Sequence, residues 1–72
     1  TSFAEGIAVA QANGDPFIEA YLQRALGALL ARNGQTGEGV NHLEAAMTLF
    51  AEMRLEHEIP ETESALRSVQ SV

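Results

Sequence analysis

Seventy-two residues make at most one small domain, near the size at which a single hydrophobic core barely offsets the entropy of ordering the chain. Apolar residues make up 46%, but no run is long enough to cross a membrane, and with no cysteine there can be neither a disulfide nor a thiolate metal site. Ten acids against four arginines, with no lysine, give a net charge of −6, which repels nucleic-acid phosphates and acidic membranes.

The first element in chain order is a helix from about Phe3 to Asn13, opened by the capping pattern Ser2-x-x-Glu5. Phe3, Ile7 and Ala10 recur on one stripe, and Ala4, Ala8 and Val9 widen it. Asn13-Gly14-Asp15-Pro16 is a strong break: Gly14 ends one helix, Asp15 caps the next, and Pro16 occupies a first turn where its missing N–H does no harm. The second helix, to about Asn33, is apolar almost all round, as expected of an element with neighbours on several sides. Gly34 stands where a left-handed residue stops it.

Thr36 is placed to cap a third helix reaching about Leu55, with Glu38 favourably set against its dipole. Val40, Leu43, Met47 and Phe50 form its stripe, broadened by Ala46, Leu49 and Met53. Gly39 lacks a side chain, so the second helix can approach closely there. After the polar connection Glu56-His57-Glu58-Ile59, Pro60 starts a fourth helix that turns Thr62, Ala65, Leu66, Val69 and Val72 inward and frays at its end. The expected fold is all-α: four helices in antiparallel hairpins, or alternatively a compact four-helix bundle. Leu26, Leu30, Leu43, Met47 and Phe50 lie at its centre. Residues 1–72 form a single small helical domain. Its start at Thr1, without Met or a signal-like segment, suggests a piece of a longer protein, and the lack of cysteine suggests a reducing, cytoplasmic setting.

The spacing Leu26-Gly27-x-x-Leu30, then Gly34, Gly39, Leu43 and Ala46, resembles a tetratricopeptide repeat across about half of the chain. Gln23 stands where an aromatic is usual, and Ala51 where a proline usually ends the repeat, so the third helix is expected to run on and the repeat to lengthen to about 40 residues. On this resemblance the first helix is the second half of one repeat, the middle pair is a whole repeat, and the last helix begins a third. The resemblance further implies that the second helix lines a concave groove that takes a peptide. Tyr21, Arg24, Ala28 and Arg32, at three- and four-residue steps, are where that groove would be. The two arginines could hold carboxylates of a partner, or pair internally with Glu19, Glu38 or the helix end.

No catalytic constellation stands out. His42 and His57 are the only imidazoles and lack metal-ligand spacing; His42 reads as an exposed helix residue and His57 as part of a solvated turn. The acids Glu52, Glu56, Glu58, Glu61 and Glu63 read as a solvated face that could otherwise receive a basic segment. Ser2, Ser64, Ser68 and Ser71 have no base and orienting acid. The glycine-rich Gly34–Gly39 stretch lacks the lysine and the preceding strand of a phosphate loop. These features point to a non-catalytic module for protein–protein interaction, with no cofactor, no metal, no nucleic acid and no membrane. Its partner is a protein or peptide, or a second copy in a docking or dimerisation domain.

Overall fold

Backbone chemistry at the helix ends divides the chain. In a computed structural model, which describes residues 2–70, α1 (Phe3–Ala12), α2 (Pro16–Arg32), α3 (Thr36–Glu52) and α4 (Ile59–Gln70) follow one another, with a 3-10 turn over Glu56–Glu58. Ser2 Oγ accepts from the Glu5 N–H at 3.1 Å and Asp15 Oδ1 from the Ile18 N–H at 3.2 Å, so both acceptors supply partners to otherwise orphaned first-turn donors. Gly14 (φ 64°) and Gly34 (φ 88°) are left-handed and close α1 and α2. No strand occurs among the described residues, and no helix is long and apolar enough to cross a membrane.

The third helix departs from expectation at both ends. It begins at Thr36 itself, behind Gln35, which makes no side-chain capping bond. It ends at Glu52 rather than Leu55, because Arg54 turns left-handed (φ 58°). The Leu55 N–H then donates to Phe50 O at 2.9 Å and the Arg54 N–H to Ala51 O at 3.1 Å. The fourth helix starts one residue early, at Ile59. Its expected inward Val72 lies outside the described residues.

Each helix packs on the next, and α4 also reaches α2. The closest approach is between α2 and α3. A Cβ on Gly27 would fall 2.8 Å from Gly39 O, and one on Gly39 would fall 2.7 Å from Gly27 O, so the two backbones touch where neither residue carries a side chain. Leu43 is fully buried beside this contact, Ala20, Ala46 and Phe50 are fully buried in a cluster of their own, and burying Leu43 and Phe50 contributes about 1.5–3 kcal/mol each. Leu26, Leu30 and Met47 are only half-buried, and Ala4, Ala8 and Val9 of α1 are exposed. The reason is geometric. The Cα trace measures 36 × 28 × 13 Å. Helices with a backbone radius of about 2.3 Å, set about 8–10 Å apart, fit no more than two deep in the shortest dimension, so each keeps a face toward solvent.

Candidate functional site

The stripe Tyr21, Arg24, Ala28, Arg32 on α2 faces the end and flank of α4, and the structure divides it into two halves. In the first half, the Tyr21 hydroxyl donates to Glu58 Oε2 at 2.7 Å and Arg24 Nη1 donates to Glu58 Oε1 at 2.9 Å. Glu61 Oε2 lies 3.7 Å from the same guanidinium nitrogen. The Arg24 guanidinium also stands 4.8 Å from the Tyr21 ring centre and 5.3 Å from that of Phe50. Tyr21 meets Phe50 edge-on at 5.5 Å and Phe17 at 4.9 Å. Two aromatic rings and the Glu58 carboxylate thus all contact one guanidinium.

Both oxygens of Glu58 accept a hydrogen bond, and its side chain is 12% exposed. The Tyr21 and Arg24 donors stabilise its ionised form and hold its carboxyl below the usual carboxylate range, against the opposing effect of desolvation. The same bond raises Tyr21, whose proton is the one donated; desolvation and the Glu58 charge act in the same direction. Glu58 therefore ties α2 to the start of α4, and its backbone carbonyl accepts from Thr62 Oγ1 at 3.0 Å. Here the expected solvated acidic face is corrected: Glu58 is buried, while Glu52, Glu56 and Glu61 remain exposed. Arg24 takes Glu58 and Glu61 as partners in place of Glu19 or Glu38. Glu19 accepts instead from Gln11 Nε2 at 3.1 Å.

The second half of the stripe lines an open groove. Ala28, Ala31 and Arg32 of α2 face Ala65, Ser68 and Val69 of α4 across a space of about 360 Å³. The floor is small and apolar. Arg32 is exposed and forms no ion pair with any described residue. The four residues singled out from the sequence therefore do not act as one surface: Tyr21 and Arg24 are engaged internally, and Ala28 and Arg32 face the groove.

The two imidazoles behave differently. His57 is exposed in its turn, with Nε2 3.4 Å from Glu58 Oε2. His42 is half-buried, not exposed, and its Nδ1 hydrogen-bonds Gln23 Oε1 across the α2–α3 contact. A polar pair thus joins α2 to α3 at this level. The sequence held no signal for Glu58: it lies 37 residues from Tyr21 and 34 from Arg24, among acids of identical type. Ala65 and Val69 could be found from their helical spacing, as inward residues of α4. Compared with known protein families, with curated proteins and with solved structures, the chain matches none.

Proposed function

We propose that this chain is a non-catalytic, tetratricopeptide-like interaction module that holds a peptide or a neighbouring domain in the groove between α2 and α4. The observation that carries this reading is the groove itself. Its volume falls in the range of small-ligand and peptide-anchor sites, its floor of Ala28, Ala31, Ala65 and Val69 leaves room for a partner's larger side chain, and Arg32 at its rim is free of any described acid. In this reading Tyr21 and Arg24 stay outside the groove's lining, and through Glu58 they hold α4 against α2. The glycine contact between α2 and α3 supports the repeat assignment, because it puts small residues at the level where paired helices of a repeat approach. The test is selection from a library of random short peptides displayed on phage. Selected peptides are expected to lose binding to an Ala65→Trp variant that keeps its helical circular dichroism. Selection of nothing, or of peptides indifferent to that tryptophan, would remove the groove as the site.

A second reading, self-association as a docking domain, is favoured by one specific observation. Val9 (59%), Ile18 (45%), Phe17 (44%) and Leu29 (39%) are large apolar side chains left exposed. Sedimentation across concentration separates the two. A dimer that Ile18→Glu disperses supports self-association, and a monomer throughout supports the groove.

A further inference from the structure

A second groove lies on the other flank of α4, distinct from the one assigned above. Thr62 is fully buried, with Ala65 and Val69 to one side of it, toward α2. To its other side Ile59 joins Glu44, Met47, Thr48 and Ala51 of α3 in lining an open groove of about 360 Å³. We propose that this groove docks a cationic segment of a different protein, which seats an apolar side chain on Met47, Ala51 and Ile59 and sets a lysine or arginine against Glu44 and Glu63.

Charge selects the occupant. Glu44 lies three and four residues before Met47 and Thr48, on the same face of α3, and Glu63 follows Ile59 by one turn of α4. Among the described residues the ion pairs engage only Glu58 and Glu61; Glu44, in the lining, and Glu63, just beyond it, stand outside them. No cation lines the groove among the described residues. The Thr48 hydroxyl is already engaged, donating to Glu44 O at 3.1 Å. The apolar part of the floor includes a methionine, whose flexible thioether adapts to the shape of what it meets. A second copy is a poor occupant, since it would bring ten acids and only four arginines against two carboxylates.

The probe is a short amphipathic peptide of leucine and lysine, titrated into the isotope-labelled full chain and followed by amide chemical shifts. Shifts at Met47, Ala51 and Ile59 are expected. The double variant Glu44→Lys/Glu63→Lys should lower affinity about tenfold or more, whereas Glu5→Lys/Glu38→Lys should leave it within about twofold. That second pair makes the same change in net charge away from the groove. If circular dichroism shows the lysine pair unfolded, Glu44→Gln/Glu63→Gln replaces it, with a smaller loss in the same direction. Equal weakening by both pairs, equal binding of a lysine–serine peptide, shifts scattered away from the groove, or no binding at all would each overturn the proposal. None of these outcomes touches the α2–α4 groove, which Ala65→Trp tests separately.

Discussion

Arg54 is the only non-glycine residue with positive φ among those described, and it does for α3 what Gly14 and Gly34 do for α1 and α2. All three helices end with the same two bonds. The left-handed residue donates to the carbonyl three before it, and the next residue donates to the carbonyl five before itself: Asp15 to Ala10, Gln35 to Leu30 and Leu55 to Phe50. In the third case Leu55 packs back on the core around Phe50, the apolar contact that accompanies this ending. An L side chain in that conformation costs about 1–2 kcal/mol, whereas glycine gives back about 0.4–1 kcal/mol through its freer unfolded chain. Arg54→Gly is therefore expected to stabilise the fold by about 0.5–1 kcal/mol, read from denaturant midpoints at unchanged slope. A midpoint that falls would mean that the Arg54 side chain makes a contribution larger than its backbone strain.

At the level of elements, the α2–α3 hairpin rests on two glycines used for space rather than for conformation. Gly27 and Gly39 are both helical, so alanine would raise helix propensity by about 1 kcal/mol at each. The new Cβ, however, would meet backbone oxygen inside 3.0 Å, and the helices would have to separate around Leu43. Overpacking of that kind costs about 1–3 kcal/mol, so Gly27→Ala is expected to lower the melting temperature. Gly37→Ala, with nothing within 4 Å, is expected to leave it unchanged or raise it. Equal behaviour of the two variants would dismiss the close approach. This contact was legible in the sequence because spacing along two adjacent helices encodes it, as were the breaks at Gly14 and Gly34. The end of α3 was not legible, since an arginine there carries no turn signature. Nor was the bond from Glu58 to Tyr21 and Arg24, which depends on how the 3-10 turn delivers one of five similar acids to α2. The half-burial of Leu26, Leu30 and Met47 was missed for a different reason. Periodicity tells which face of a helix is apolar, but not how many neighbours cover that face.

For the whole molecule, net charge and the Glu58 cluster act on stability in opposite ways as pH falls. Protonating carboxylates relieves the self-repulsion of a chain at −6, which favours the compact state. Glu58 works against this. Its carboxyl is lowered by the Tyr21 and Arg24 hydrogen bonds, so the folded state binds that proton more weakly than the unfolded chain does. Its contribution is present above the ordinary glutamate value of 4.5 and is lost as pH falls through the lower folded value. Tyr21 is raised by the same bond, so its contribution is complete below the ordinary 10.0 and is lost as pH rises through the higher folded value. Comparing Glu58→Gln with the parent at each pH isolates this pair from the general charge effect, because both chains share every other acid. The variant is expected to be less stable near neutrality, and the gap should begin to narrow as pH falls below 4.5 and close below the lower folded value, where protonation leaves the parent's side chain equally uncharged. It should also begin to narrow as pH rises above 10.0, with the parent losing the Tyr21 proton shared with Glu58 only at the higher folded value. Thermal unfolding across that range is the measurement. A gap of constant size would mean that Glu58 holds α4 to α2 through packing alone, and that the charge on its carboxylate contributes nothing.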